Sequence, residues 1–185
     1  MVSTKIFGSF KPVVLFRNNI MKIETSWISK SKNEQRSGYY EDCINFDSLP
    51  KEKIKAICAF CHYNNKFLLV KNGEHWEPVA GHVEQGELPE ETLFREIKEE
   101  SNMKVLKYFP LGYLYIKEVD IFQAQYFCTV EPYGQFTSDP DGGVTAIRLV
   151  NFNEINELLT KDDTSKLTLK RCQEVFNKLT LLSEI

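Results

Sequence analysis

The chain has 185 residues, of which 42% are hydrophobic and 26% charged, and its formal net charge is −3. This composition supplies one hydrophobic core, is too apolar for wholesale disorder, and lacks the basic excess of proteins that coat nucleic acid. It contains no run of roughly 18 apolar residues, the length that spans a bilayer, and its first eleven residues lack the apolar core of a secretory signal. We therefore expect a cytoplasmic protein that acts on neither nucleic-acid polymers nor membranes.

The first fifty residues predict a β-rich N-terminal extension. Two apolar runs, 12–16 and 20–28, flank the turn-forming Arg17-Asn18-Asn19 and together predict a β-hairpin. The polar stretch 29–47 predicts a connector. We assign residues 1–50 to this extension and residues 51–185 to the main domain.

The main domain shows mixed strand and helix signals. Alternating and continuous apolar runs predict strands, and helical spacing predicts one central helix, with Leu93 and Ile97 on its apolar side, and two C-terminal helices. This order of predicted strands and helices along the chain is typical of the α/β class. The predicted strands are 54–63, 66–71, 76–79, 105–115, 121–130 and 146–150, and the predicted helices are 89–101, 153–160 and 164–182.

The five cysteines are scattered and predict reduced thiols. Cys58-Ala59-Phe60-Cys61-His62 has the spacing of a haem-attachment sequence. It falls in a predicted strand, where residues three apart point to opposite faces, so Cys58 and Cys61 cannot grip one ligand together. We therefore expect neither haem nor zinc at this segment.

The central helix carries three carboxylates on one face, because Glu96, Glu99 and Glu100 stand at i, i+3 and i+4. Such like-charge pairs cost a few tenths of a kcal/mol each, and the helix dipole opposes acids in the last turn. A divalent cation would reverse both penalties. Gly81, before the helix, permits a backbone carbonyl to approach the same ion. The simpler interpretation is a solvated acidic surface.

The wider spacing decides between these interpretations. The segment 81–103 resembles the Nudix box, with Asn102 where the box has its last glycine. A left-handed conformation suits that helix end, and asparagine is the usual second choice there. The resemblance is close over the box and loose over residues 54–160, and it does not reach residues 1–50. The box positions filled in register are Gly81, Glu87, Arg95, Glu96, Ile97, Glu99, Glu100 and Met103.

The resemblance implies a Nudix-type α/β/α sandwich with a mixed β-sheet, here with the N-terminal β-rich extension. It implies a pyrophosphohydrolase that acts on phosphorus-containing acid anhydrides, by cleaving the diphosphate linkage of a nucleoside triphosphate or of a nucleoside diphosphate joined to another moiety. Its cofactor would be Mg²⁺, with Mn²⁺ as the alternative. The implied metal ligands are Glu96, Glu99, Glu100 and the Gly81 carbonyl, with Glu87 and Arg95 as a bracing pair.

The resemblance leaves the general base open. Some members use a box glutamate, here Glu96 or Glu99, and others an acid on a later loop. Among later acids we favour Asp141, although its Asp-Pro-Asp-Gly-Gly sequence also suits an ordinary turn. The other candidates are Asp139, Glu118 and Asp120. For substrate contacts the candidates are Trp76 and His82, with His75 nearby; the alternating Tyr113, Tyr115, Phe122 and Tyr126 are more typical of a core.

Several alternatives remain beside the hydrolase. A Nudix-fold domain can sense a nucleotide without cleaving it, but every box glutamate is present here. Isomerisation of an isoprenoid diphosphate needs a cysteine opposite a glutamate, and neither can be assigned. The N-terminal extension resembles those through which nucleotide-sugar hydrolases of the family form homodimers; alternatively, it extends the sheet of its own chain.

Overall fold

A computed structural model describes residues 22–28, 34–43, 45–159 and 163–183 of the chain. Within them lie nine strands, three α-helices and a short 3₁₀ turn at Lys51–Lys53. The strands are β1 Lys22–Ile28, β2 Gln35–Asp42, β3 Ile54–Tyr63, β4 Lys66–Asn72, β5 His75–Glu77, β6 Val79–His82, β7 Met103–Ile116, β8 Ile121–Pro132 and β9 Val144–Val150. The helices are α1 Pro89–Ser101, α2 Phe152–Leu159 and α3 Asp163–Ser183.

All nine strands belong to one mixed sheet. Its main path runs β1-β2-β7-β8-β3-β4-β5, while β6 pairs with β3 and β9 pairs with β4. The β3–β8 pair is parallel and the other pairs are antiparallel. The helix α1 buries Leu93 and Ile97 in the core on one face, whereas α2 and α3 bury Ile155 and Leu169 in a second core. This is the predicted α/β/α sandwich. None of the described helices is long and apolar enough to cross a membrane.

The two faces of β3 separate the cysteines as the strand alternation predicts. Cys61 is buried in the core beneath α1, whereas Cys58 packs against the core beneath α2 and α3. Burial raises the pKa of the Cys58 thiol to about 12. Such a thiol stays protonated near neutral pH and is a poor nucleophile.

The prediction of a connector over residues 29–47 is wrong, because this stretch contains β2. Its sequence, Gln-Arg-Ser-Gly-Tyr-Tyr-Glu-Asp, lacks an apolar alternation. Pairing with β7 on one side and β1 on the other forms the strand. Tyr40 is fully buried and donates a hydrogen bond of 3.1 Å to the Leu111 carbonyl, and a Cβ at Gly38 would overlap the Tyr115 carbonyl. Long-range contacts therefore override weak local strand propensity.

The N-terminal extension continues the sheet of its own chain. β1 occupies the second predicted hairpin arm, and the first arm and turn, 12–19, lie outside the described residues. A buried ion pair joins β2 to the C-terminal helix, with 3.4 Å between Asp42 Oδ1 and Arg171 Nε. Strands of the extension and the end of the chain are thus packed as one unit. The homodimer remains a prediction.

Candidate active site

The acidic helix α1 has well-defined ends. Pro89 occupies its first turn, and the Leu88 amide donates to Glu91 Oε2 at 2.8 Å. The helix ends at Asn102, whose φ of 53° and ψ of 38° are left-handed. The expectation that asparagine replaces glycine for this conformation is therefore confirmed. Leu93 and Ile97 are buried in the core, whereas Glu96, Glu99 and Glu100 are only partly buried.

Arg95 joins the box loop to the helix. Its Nε and Nη2 atoms each donate to a Glu87 carboxylate oxygen at 3.0 Å, and Nη2 also donates to the His82 carbonyl at 3.1 Å. Its Nη1 atom donates to Glu96 at 2.7 Å and to Glu99 at 3.1 Å. The hydrogen bonds from Arg95 lower the pKa of Glu87 to about 2. Bidentate pairing of this kind fixes geometry as well as charge.

Gly81 allows close contact between the box loop and the helix. A Cβ at this position would overlap the carboxylate of Glu96. Any other residue would therefore displace Glu96 or the loop. Burial raises the pKa of Glu96, and the charges of Glu99 and Asp141 add to this increase against the opposing effect of Arg95.

Glu100 is the most perturbed of the three helix carboxylates. Its Oε2 atom accepts a hydrogen bond of 3.2 Å from the Ala80 amide. Burial raises its pKa to about 8, and the nearby charges of Glu96, Asp139 and Glu77 contribute further. A carboxylate that faces other carboxylates in partly buried surroundings favours either a proton or a cation.

The loop 138–143 brings a further acid to this cluster. Asp139 is buried and caps its own turn, because it accepts hydrogen bonds from the Asp141 amide at 3.1 Å and the Val144 amide at 2.8 Å. Asp141 is exposed, and its charge lies close enough to Glu96 to raise the pKa of that group. The favoured candidate base therefore lies beside the helix acids, and its catalytic role remains a prediction.

The other two candidate bases have structural contacts at the β7–β8 turn. Glu118 accepts hydrogen bonds from the amide and hydroxyl of Ser37 at 2.8 and 2.7 Å. Asp120 forms an ion pair of 2.7 Å with Lys53. Both carboxylates hold this turn against neighbouring segments.

A cavity of about 450 Å³ lies on the face of the sheet covered by α2 and α3. It includes the candidates Trp76 and His75, whereas His82 is exposed outside it and engages Arg95 through its backbone carbonyl. The aromatic residues Tyr113, Phe122 and Tyr126 lie in the opposite core, as predicted. The cavity is lined by Thr25, Trp27, Cys58, Phe60, Glu74, His75, Trp76, Glu77, Pro78, Leu114, Gln123, Gln125, Leu158, Leu159, Thr168 and Leu169.

Most residues of this lining could not be predicted from the sequence. Trp27 comes from the N-terminal extension, and Thr168 comes from the last helix. One signal was present: Gln123 and Gln125 are polar residues at alternate positions in the largely apolar first part of β8. Alternation places them on one face, and that face is the floor of the cavity.

Two residues near β5 and β6 connect the lining of the cavity with the acidic helix. Glu77 lines the cavity, and its charge raises the pKa of Glu100. Ala80, whose amide donates to Glu100, lies opposite Cys58 of the cavity in the β3–β6 pairing. Glu77 therefore links the lining of the cavity electrostatically to the carboxylates of α1.

The donor set at this edge suits a hard divalent cation, since carboxylate and carbonyl oxygens are the ligands that Mg²⁺ and Mn²⁺ prefer. Among the described residues, no three Asp, Glu, His or Cys side chains form a ready ligand set. The Arg95 guanidinium contacts Glu96 and Glu99, while Glu100 faces further carboxylates. The negative charge and the oxygen ligands of the cluster fit a cation. A bound cation would replace the contacts that Arg95 makes with Glu96 and Glu99.

Comparisons with known proteins identify the family of this chain. The NUDIX domain matches residues 52–171. A Bacillus subtilis (strain 168) protein provisionally named 8-oxo-dGTP diphosphatase YtkD is 28% identical over 147 residues, which cover 74% of this chain and 93% of that protein. The structure of a mutant of the Bacillus subtilis pyrophosphohydrolase BsRppH has a TM-score of 0.58 at 22% identity, covering 82% of this chain and 97% of that chain.

A more distant structure shares the same architecture. The C. elegans Ap4A hydrolase, solved as a binary complex, has a TM-score of 0.51 at 17% identity, covering 66% of this chain and 99% of that chain. At these identities the structural matches show a common fold. The domain match spans more than half of the sequence and includes the whole acidic segment. The chain therefore belongs to the NUDIX family of pyrophosphohydrolases.

Proposed function

We propose that this protein is a divalent-metal-dependent hydrolase that cleaves a diphosphate linkage in a nucleoside triphosphate, or in a nucleoside diphosphate joined to another moiety. One observation carries the proposal: Glu77 lines a cavity of about 450 Å³, and its charge acts on Glu100 of the acidic helix α1. That volume is typical of small-molecule sites. The name of the B. subtilis relative, a diphosphatase of a nucleoside triphosphate, supports the triphosphate class first.

The proposed metal ligands are Glu96, Glu99, Glu100 and the Gly81 carbonyl. A bound Mg²⁺ or Mn²⁺ ion would offset phosphate charge and lower the pKa of a coordinated water. Glu87 accepts two of the five hydrogen bonds that Arg95 donates, so this pair holds the box loop against the helix. The base that receives the proton of the attacking water would be Glu96, Glu99 or Asp141.

The cavity would hold the nucleoside and direct its phosphates toward the acids. Trp76 and Phe60 offer aromatic surface to a base. Aromatic side chains can stack on any of the nucleobases, because every base has a flat π-face. The phosphates would then lie near β6, where the Ala80 amide contacts Glu100. Positioning of this kind is the main contribution that a protein makes to phosphoryl transfer.

The test is turnover by the full chain, with Mg²⁺, against nucleoside triphosphates, nucleotide sugars, ADP-ribose and dinucleoside polyphosphates. Glu100→Gln serves as the inactive variant, and Glu157→Gln, at an exposed position of α2, serves as its matched control. We expect metal-dependent turnover of one class, lost only in Glu100→Gln. Binding without turnover of any class would instead indicate a nucleotide-sensing domain.

A further inference from the structure

The loop between β8 and β9, residues 133–143, brings two acids to the acidic helix. Asp141 is exposed, and its charge raises the pKa of Glu96. Asp139 is buried, and its charge raises the pKa of Glu100. The ionised forms of these four carboxylates repel one another, which favours withdrawal of the loop from α1. The observed position of the loop therefore requires contacts that oppose this repulsion.

Asn102, which ends α1, makes two such contacts. Its carbonyl accepts a hydrogen bond of 3.0 Å from the Tyr133 amide, and its side-chain Nδ2 atom donates a hydrogen bond of 3.0 Å to the Gln135 carbonyl. A backbone carbonyl only accepts hydrogen bonds, so the NH₂ group of the Asn102 side chain must face Gln135. Within the described part of the chain, no other hydrogen bond joins this loop to the end of α1.

The side-chain contact depends on asparagine at a position where the backbone conformation alone favours glycine. The φ of 53° at Asn102 is left-handed, and glycine adopts this conformation without strain. Glycine would also keep the hydrogen bond from the Tyr133 amide, because that bond uses only the backbone of residue 102. It has no side chain that could donate to Gln135. Asparagine therefore fits the same helix end and adds a second attachment for the loop.

The segment 136–140 connects this attachment to the exposed loop acid. Phe136, next to Gln135, packs against the core that α1 covers. Asp139 then caps the turn that carries Asp141, because it accepts a hydrogen bond of 3.1 Å from the Asp141 amide. Release of Gln135 from Asn102 would loosen one end of this segment and allow Asp141 to move away from the helix acids.

We propose that Asn102 is a positioning residue that holds Asp141 beside Glu96, and that this placement strengthens the binding of a divalent cation. This inference rests on the proposed function, because it concerns the metal site of the same hydrolase. Asn102 touches neither the cation nor the substrate in this role, since it acts through the loop. The loss of one hydrogen bond at an exposed position changes an equilibrium by about fivefold, and this factor sets the size of the expected effects.

The test compares Asn102→Gly with Asn65→Gly in the full chain. Asn65 also has a left-handed φ, 59°, and lies in the turn between β3 and β4, which contributes none of these acids. The two substitutions therefore have the same effect on the unfolded chain. Electron paramagnetic resonance of Mn²⁺, without nucleotide, gives a binding readout that is independent of turnover.

We expect Asn102→Gly to raise the Mn²⁺ dissociation constant about fivefold. At saturating Mn²⁺ it should lower kcat about fivefold and leave KM for the nucleotide unchanged, because the cavity lining is intact. Asn65→Gly should leave all three values at those of the wild type. The melting temperatures of the two variants should agree. Failure of Asn102→Gly to fold would show that the helix end depends on this side chain, and would overturn the positioning role.

A double-mutant cycle identifies the group through which Asn102 acts. Asp141→Asn removes the charge of the loop acid, so the further substitution Asn102→Gly should change the Mn²⁺ dissociation constant by less than about twofold. A general structural effect of Asn102 would instead add in full to the effect of Asp141→Asn, and additive effects would overturn the proposal.

The outcomes distinguish this inference from the proposed function. Mn²⁺ binding without turnover of any nucleotide would contradict the hydrolase, whereas a weaker Mn²⁺ affinity confined to Asn102→Gly would still support the positioning role. Turnover with equal Mn²⁺ affinities in Asn102→Gly and Asn65→Gly would support the hydrolase and overturn the positioning role. A wild-type chain that binds no Mn²⁺ would contradict both.

Discussion

Glu100 gives the clearest link between the chemistry of the site and the stability of the protein. Its pKa is raised from the ordinary 4.5 to about 8, first by burial and then by neighbouring carboxylates. The unfolded chain ionises this group near pH 4.5 and the folded chain only near pH 8. The folded state therefore loses stability as pH rises between these values, and the full penalty applies above pH 8 in the absence of a cation.

Glu100→Gln should remove this penalty and keep the hydrogen bond from the Ala80 amide, because the glutamine carbonyl can accept it. Each pKa unit corresponds to about 1.4 kcal/mol, so the difference between 4.5 and about 8 sets an upper limit of about 5 kcal/mol. Since Glu100 is only half-buried, solvent screening reduces the expected gain to about 2 kcal/mol. This corresponds to an increase of about 6 °C in the melting temperature of a chain of this size.

The assay is urea or thermal denaturation with a metal chelator, below pH 4.5 and above pH 8. We expect the variant to exceed the wild type in stability only at the higher pH, and to lose turnover with Mg²⁺. Glu157→Gln, at an exposed helix position, is the control and should show no gain. An equal gain at both pH values, or a variant less stable than the wild type above pH 8, would refute the argument from burial and repulsion.

Three further substitutions test other parts of the structure. Asp42→Ala removes the buried carboxylate that lies 3.4 Å from Arg171 Nε, and should lower the free energy of unfolding by about 3 kcal/mol in urea denaturation. A loss below about 1 kcal/mol would argue against this ion pair as a link between β2 and α3. Trp27→Ala should raise KM about tenfold with kcat unchanged, because Trp27 lines the cavity. Ile28 is exposed on the same strand, so Ile28→Ala should leave KM and kcat at their wild-type values, and equal KM values in the two variants would show that Trp27 does not contact the substrate. Gly81→Ala adds a Cβ that overlaps a helix carboxylate, and should lower kcat/KM about 100-fold with an unchanged circular-dichroism spectrum; near-normal activity would show that the loop and helix can separate without cost.

Much of the main domain was predictable because its signals are local. The spacing of Leu93 and Ile97 and the proline at the first turn predicted the bounds of α1, and the structure has the same bounds. The left-handed conformation at Asn102 followed from the needs of a helix end. Helical periodicity also placed Glu96, Glu99 and Glu100 on one face, since side chains three and four residues apart are neighbours in any α-helix.

The extension was predicted less well because its strands are made by tertiary contacts. Local sequence does not favour β2, which is polar and contains Gly38. Its pairing with β7 and the burial of Tyr40 involve residues about seventy positions away. The periodicity of residues 29–47 contains no sign of these long-range contacts, so this polar stretch was interpreted as a connector.

The sequence by itself determined the family, the acidic helix and the order of the main strands, because each depends on short-range spacing. Only the tertiary structure decided what surrounds those acids. It brought Gln125 to Thr168 across 43 positions, added Trp27 of β1 to the same cavity, and buried Glu100 among other carboxylates. Burial and electrostatic environment arise from the packing of distant segments, and they set the pKa of a group.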